Sequence, residues 1–229
     1  FAAVTVNRGA DQVVAGMALN LLALGATGAV YRTLSQRRTV PLFAPTWRPV
    51  AVPWLAPLPV VGEPFFHQNA LAYGAYLLVP VAALLLFHTR WGLKLRAAGE
   101  NPAAADTMGV SVPRTRWEAV LLGGFLAGCG GAFLSTGHVR SFSEDMIAGR
   151  GFIALAVVIF GGWNPWGIGV AALIFGLAQG LSYSFQALDW HVAYQWFLAL
   201  PYLVTLGALA LRSGRSPGPA ALAQPYRRS

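Results

Sequence analysis

The stretch of sequence that decides the fold runs from Ala70 to His88 and reads ALAYGAYLLVPVAALLLFH. It contains no Asp, Glu, Lys or Arg. As a helix rising about 1.5 Å per residue, it would be roughly 28 Å long. The hydrocarbon core of a bilayer is about 30 Å thick. The stretch therefore predicts a transmembrane helix.

Comparable apolar stretches lie on both sides of this one. We predict further full-length spans over 12–31, 118–137, 166–185 and 192–211. The stretch 151–162 is shorter and runs into the helix-breaking sequence GGWNP at 161–165. Such a segment is either a half-helix that ends beside protein or a water-filled cavity, or a tilted, shortened ordinary span. The predicted fold class is all-α, a polytopic transmembrane helical bundle with one short or broken span.

The composition supports a membrane protein and excludes several classes. Of the 229 residues, 56% are hydrophobic and 10% are charged, against roughly 25% charged in an ordinary soluble domain. The net charge of +8 comes from residues that cluster just beyond apolar stretches, which is typical of cytoplasmic loops and not of a nucleic-acid-binding patch. We therefore expect contact with membrane lipid and none with nucleic acid. A single cysteine, Cys129, excludes an intrachain disulfide.

The distribution of basic residues predicts the orientation. The connection 89–117 carries five of them: Arg90, Lys94, Arg96, Arg114 and Arg116. By the positive-inside rule this connection is cytoplasmic. The basic tail 212–229 follows after an even number of crossings if 151–162 counts as one, so it is cytoplasmic as well. The connections 32–69 and 138–150 are then expected outside.

The sequence shows no spacing of histidines or other reactive residues that is typical of an active site or a metal site. The four histidines are scattered and show no metal-ligand spacing, and the chain has no GxxxxGK[ST] phosphate-binding loop. We expect no enzyme activity, no cofactor and no metal site. Any energy that the protein uses must then come from a partner.

Two groups of polar residues are candidates for other roles. Asn20 and Gln179 lie within predicted spans, where an amide bonds a neighbouring helix or lines a path for a solute. Glu144, Asp145 and Arg150 lie at the outer interface before the short segment. Such an ion cluster anchors a helix or docks a partner more often than it catalyses a reaction.

The cytoplasmic stretch 95–110, LRAAGENPAAADTMGV, predicts a short amphipathic helix. Asn101 is a suitable N-cap, Pro102 suits the first helical position, and Gly109 ends the helix. A small helix exposed between two spans is a suitable surface for a cytoplasmic partner.

The stretch 96–109 resembles the cytoplasmic coupling loop of the ATP-binding-cassette (ABC) permease family that serves ribose, nucleoside and branched-chain amino acid importers. Three further stretches resemble the family in the same order: 11–20 (DQVVAGMALN), 149–156 (GRGFIALA) and 160–165 (FGGWNP). One departure is Asp11, where the family usually has Asn. The resemblance covers nearly the whole chain.

The resemblance implies a single transmembrane permease domain over 1–229, with the N-terminal helices of the full family fold missing. It implies that 89–117 is the coupling loop and 212–229 a cytoplasmic basic tail. Implied contacts to an ATPase are Arg96, Gly99, Glu100, Asn101, Pro102, Ala105 and Gly109. From their positions in the sequence, we further expect Asn20 and Gln179 to line the translocation path and Glu144 with Arg150 to lie at the outer mouth.

The implied partners are a cytoplasmic ATP-binding subunit, a second permease subunit (identical or different) and an external substrate-binding protein, which in the simple-sugar and nucleoside branch is a lipoprotein. The implied location is the bacterial plasma membrane. Within the family, the Pro-rich loop that ends in PVVGEPFF at 59–66 is most similar to the simple-sugar and nucleoside branch. A branched-chain amino acid permease remains an alternative. An ion-coupled secondary carrier is a second one, disfavoured because nearly all ionisable residues lie at span ends or in loops.

Overall fold

The computed structural model describes residues 1–35, 47, 50–51, 65–138, 146–147, 149–187, 207 and 218–226. Its α-helices are α1 Gln12–Ser35, α2 Ala70–His88, α3 Arg90–Glu100, α4 Pro102–Thr107, α5 Val112–Phe133, α6 Arg150–Phe160 and α7 Pro165–Ala187. Two π-helical turns, Ala3–Asn7 and Leu134–His138, precede α1 and extend α5. Two very short strands, β1 Val50–Ala51 and β2 His67–Gln68, form an antiparallel pair. The predicted all-α fold class is confirmed.

The long helices match the predicted spans. Within the described residues, three helical stretches are long and apolar enough to cross a membrane: Gln12–Ser35, Ala70–His88 and Val112–Gly137. The predicted span 166–185 lies within α7. The apolar part of α7, Pro165–Leu181, is shorter than these three stretches. The span predicted at 192–211 lies outside the described residues apart from Gly207.

The short segment forms α6, which has 11 residues. At about 1.5 Å per residue it is roughly 16 Å long, half the thickness of the hydrocarbon core. It ends at Phe160, and the next turn contains two left-handed residues, Gly162 at φ 67° and Trp163 at φ 59°. Pro165 then begins α7 with its fixed φ and missing N–H. The GGWNP sequence therefore divides α6 from α7, as its composition predicts.

The helices α6 and α7 form a hairpin, and α7 also packs against α2. The Phe160 and Phe175 rings meet edge to face with their centroids 6.4 Å apart. A Cβ on Gly169 would lie 3.2 Å from a methyl carbon of Val79, so the missing side chain allows α7 to approach α2 closely.

The connection 89–117 contains more helix than its sequence predicted. The helix α3 fills the part of this connection between Thr89 and Asn101. Thr89 caps it by accepting a hydrogen bond from Gly92 N at 3.1 Å. At the other end, α5 begins at Val112, six residues before the predicted span. The helices α3, α4 and the first turn of α5 are here called the short-helix layer, together with the tail segment 218–226 that packs on them.

The opposite end of α2 meets the long connection. Tyr73 Oη donates to the carbonyl of Val50 at 2.9 Å, and Trp47 Nε1 donates to Thr136 Oγ1 at 3.1 Å. The β1–β2 pair therefore lies at the end of the molecule away from the short-helix layer, since α2 runs from one end to the other.

Candidate functional site

The short helix α4 has the local structure that its sequence predicted. Asn101 Oδ1 accepts a hydrogen bond from Ala104 N at 3.0 Å, and Pro102 occupies the first turn. The backbone N–H of Asn101 also donates to the Ala97 carbonyl at 2.9 Å. One asparagine therefore ends α3 and begins α4. Gly109 follows the helix at φ 81°, a left-handed conformation that favours glycine.

A small apolar cluster holds this helix in place. Its buried members are Ala98 from α3, Ala105 from α4 and Val112 from α5, with exposed fractions of 3%, 5% and 0%. Ala97, Val110 and Tyr226 pack around them. Because the side chains of α3 and α4 in this cluster are alanines, the three helices lie close together with little room for larger residues.

The predicted coupling residues divide into a buried set and an exposed set. Ala105 is buried and Gly99 is half-buried, whereas Arg96, Glu100 and Asn101 are exposed. The Arg96 guanidinium lies 5.1 Å from the centre of the Phe87 ring, and Glu100 is the last residue of α3. Beyond them, Ala104, Thr107 and Met108 are exposed on α4 and its C-cap, Met108 with 84% of its surface. This exposed face is available to a partner.

The tail contacts were not predicted from the sequence. Ala221 N donates to the Gly99 carbonyl at 3.0 Å, and Arg116 donates to the Gln224 carbonyl at 2.8 Å. The sequence analysis used Arg116 only as a charge for orientation. One signal was present: the apolar residues at 219–226 follow a polar, basic stretch, and such residues need a surface to cover them.

A second unpredicted contact connects α3 to α5. Glu118 accepts hydrogen bonds from Trp91 Nε1 at 2.9 Å and from Arg114 Nε at 3.1 Å. The Arg114–Glu118 pair is an i,i+4 pair on one helix, whereas the Trp91 bond joins two helices. The Trp91 bond therefore joins α3 to the second turn of α5.

Asn20 lines a cavity of about 590 Å³ between α1 and the beginning of α6. Its lining comprises Gln12, Val13, Gly16, Met17, Asn20, Ala23, Leu24, Thr27, Met146, Ile147, Gly149, Gly151, Phe152 and Leu155. These described lining residues are mostly apolar, and none carries a formal charge. Binding sites for small molecules commonly combine such a lining with a few polar groups.

The other predicted path and mouth residues lie apart from this lining. Gln179 is half-buried on α7 and is absent from the described lining of the cavity. Arg150 donates to the Met146 carbonyl at 2.8 Å and so closes the turn before α6. Its predicted neighbour Glu144 lies outside the described residues. This contact anchors the start of α6, which is one of the roles that the sequence analysis considered for Arg150.

Comparison with known proteins identifies the family. Residues 1–209 match the family described as the permease component of branched-chain amino acid transport systems. The chain belongs to this permease family. The guanosine ABC transporter permease protein of Bacillus subtilis is 36% identical over 98% of this chain and 72% of its own length. No solved structure matches the chain significantly.

Two further relatives of this permease are similarly close. The nucleoside ABC transporter permease protein NupC of Lactococcus lactis is 39% identical over 96% of this chain and 70% of its own length. A putative glucose ABC transporter permease protein of Haloferax volcanii is 38% identical over 78% of this chain and 54% of its own length. All three relatives are named as permeases of ABC transporters.

The permease is therefore the translocation subunit of an ABC importer and not an enzyme, since ATP hydrolysis belongs to a separate subunit. Transporters of this kind generally also contain another permease subunit and a substrate-binding protein. With its several apolar helices, the chain is a multi-pass protein of the bacterial plasma membrane.

Proposed function

We propose that the permease translocates a nucleoside, with a simple sugar as the next candidate. The observation that carries this proposal is the near-complete match to two relatives named for guanosine and nucleoside transport. A relative named for glucose matches a smaller share of the chain. The ion-coupled carrier, considered as a competing class from the sequence, is not supported, because the chain belongs to an ABC permease family.

The chemistry of the cavity supports a neutral substrate. The described lining offers the side chains of Gln12, Asn20 and Thr27 for hydrogen bonds, among apolar residues. A nucleoside has a flat, largely apolar base with polar edges and a ribose with hydroxyl groups, and it suits such a lining. An amino acid carries an ammonium group as well as a carboxylate. The described part of the lining holds no charged side chain to pair with either group.

The family description favours branched-chain amino acids as the alternative. Uptake of labelled guanosine, glucose and leucine by cells that express the complete transporter separates the three. We expect guanosine uptake that excess uridine or adenosine reduces and that leucine leaves unchanged. Leucine uptake without nucleoside uptake would contradict the proposed substrate.

Asn20 is proposed as a residue of the translocation path. Replacing it with Leu removes the amide and places a bulky apolar group in the cavity, so we expect guanosine uptake to fall about tenfold, the equivalent of one or two lost hydrogen bonds. Leu21→Ala on the same helix is the matched control, because Leu21 is 71% exposed and outside the described lining. Equal uptake by the two variants would remove Asn20 from the path. Gln179 stays a path candidate, to be tested in the same way.

The exposed face of α4, with Arg96 and Glu100 beside it, is proposed as the contact to the ATP-binding subunit. ATP binding closes the ATPase pair, α4 moves with it, and the spanning helices alternate between outward and inward openings. We expect Glu100→Ala to lower uptake about fivefold or more, within the usual range of coupling free energies, while substrate binding to the isolated binding protein is unchanged. Normal uptake in vesicles would exclude Glu100 from coupling.

The finer features of the assembly also stay proposals. They are the cytoplasmic location of 89–117 and 212–229, a pair of permease subunits that are identical or different, and a binding protein anchored as a lipoprotein. Labelling of Lys94 tests the first of these, since it is expected to react with a membrane-impermeant reagent only in inverted vesicles or opened cells. Labelling in sealed cells would reverse the topology.

A further inference from the structure

The tail segment 218–226 binds to two helices of the short-helix layer at once. It contacts the end of α3 through the Ala221–Gly99 backbone hydrogen bond and the first turns of α5 through the bond from Arg116 to the Gln224 carbonyl. Arg116 and Gln224 are 108 residues apart in the sequence. The tail therefore bridges the two helices that flank α4.

The tail also completes the apolar cluster under α4. Tyr226 packs against the buried Ala98, Ala105 and Val112, and Ala221 is itself 8% exposed. Alanines bury little area, so a tyrosine ring adds a large part of the apolar contact available to this cluster. Loss of the tail would leave these side chains more open to water.

The same segment leaves the outward face of α4 uncovered. Ala104, Thr107 and Met108 remain exposed with the tail in place. A tail that blocked the proposed ATPase contact would cover these residues. The geometry therefore favours a support behind α4 and not a lid over it.

The first residue of the segment lies against the turn between α6 and α7. A Cβ on Gly218 would be 3.1 Å from ring atoms of Trp163. Trp163 has the positive φ of 59°, which is unfavourable for a residue with a side chain, so neighbouring contacts must hold this turn. From there α6 leads to Gly151, Phe152 and Leu155, which line the cavity opposite Asn20.

From these contacts we infer that residues 218–226 form a brace that transmits displacement of α4 to the α6–α7 hairpin and so to the cavity. The inference rests on the proposed coupling role of α4. Its path is continuous: α4 and the buried cluster contact the brace, the brace contacts Trp163, and α6 reaches the cavity. Motion of α4 then changes the position of the cavity wall that α6 provides.

The first test removes the brace. A permease that ends at residue 217 is compared with one that ends at residue 226, each assembled with its ATP-binding subunit and binding protein in proteoliposomes. We expect the ATP-binding subunit to co-purify equally with both, while substrate moved per ATP hydrolysed falls about fivefold or more in the shorter protein. An unchanged ratio overturns the inference. Lost co-purification also overturns it, because the tail would then be part of the ATPase contact.

Two single substitutions of Tyr226 test the brace if the shortened protein does not reach the membrane. Tyr226→Ala removes the ring from the cluster, whereas Tyr226→Phe keeps it. We expect a fall in substrate moved per ATP for Tyr226→Ala only, and equal ratios for the two variants contradict the brace. The proposed role of α4 fails separately, if Glu100→Ala transports normally with the tail intact.

A disulfide tests whether the brace stays docked during transport. The Cβ atoms of a residue at 99 and of Pro219 lie 3.6 Å apart, within the range for a disulfide. The variant Gly99→Cys/Pro219→Cys is made with Cys129→Ala, so that no other thiol remains. We expect the bond to form under mild oxidation and the oxidised and reduced forms of this one protein to transport equally. No bond, or uptake only after reduction, contradicts a brace that moves with α3 and α4.

Discussion

The short-helix layer and the spanning helix α1 bury their side chains to very different degrees. In the layer Val112 is fully buried and Ala98 is 3% exposed, whereas no residue of α1 is buried and Leu21 is 71% exposed. A layer in contact with water needs its own apolar core. A spanning helix needs none within the chain, because lipid and the helices of partner subunits cover its apolar surface. Of these two described regions, the short-helix layer therefore has an apolar core of its own and α1 has none.

Replacing a glycine by alanine should change the free energy of unfolding very differently in the short-helix layer and in a spanning helix, and this is the largest difference we expect. A Cβ on Gly92 would overlap the carbonyl groups of Leu85 and Leu86, whereas Gly124 on α5 has no described neighbour within 4 Å of that position. We expect Gly92→Ala to lower the free energy of unfolding by about 3 kcal/mol, since backbone must move. Unfolding by denaturant in mixed micelles measures this.

The matched variant Gly124→Ala sharpens the comparison. On an open helix face, alanine should stabilise by up to about 1 kcal/mol through its higher helix propensity. Loss of stability, or loss of association between permease subunits, would instead place a partner helix against this face of α5.

Truncation of apolar side chains gives the next largest effect. Val112→Ala removes two methyl carbons from a fully buried site, and we expect a loss of about 2 kcal/mol, from both the transfer of those groups and the space left behind. Leu21→Ala removes more atoms but from an exposed position, with an expected loss below about 0.5 kcal/mol. The same micelle unfolding assay compares them, and equal losses would mean that α1 packs as tightly as the layer.

The two hydrogen bonds that Glu118 accepts should give the smallest difference in stability between matched variants. Trp91→Phe removes the bond that joins α3 to α5, and we expect a loss of about 1 kcal/mol. Arg114→Ala removes an exposed i,i+4 pair, with side chains 81% and 39% exposed, and should cost less than Trp91→Phe, because water and salt screen exposed ion pairs. Thermal unfolding at two salt concentrations separates them, because added salt should reduce only the effect at Arg114.

Local features of this fold could be predicted from the sequence because they depend on neighbours along the chain. The span Ala70–His88 follows from an uninterrupted apolar stretch of bilayer length, and its bounds agree with α2. The cap at Asn101, the Pro102 start and the left-handed Gly109 follow from the preferences of single residues. The extra helix α3 was missed because its cap, Thr89, stands directly after the apolar span and was counted with the loop.

The candidate site could be predicted only in part, because several of its contacts join residues that are far apart along the chain. An amide in a span indicates a need for a partner but not which one, so Asn20 and Gln179 were indistinguishable until the cavity separated them. Arg150 donates to the Met146 carbonyl, a contact that depends on where the folded chain places that carbonyl and that its charge alone did not indicate.

The sequence by itself determined the membrane class, the span Ala70–His88 and the short helix α4, because apolar length, capping and backbone preference act over a few residues. Only the tertiary structure decided that residues 218–226 bind Gly99 and Arg116, and that α1 and α6 line the same open cavity. These contacts join residues that are 100 or more positions apart. They depend on the shapes of surfaces that exist only after the helices have packed.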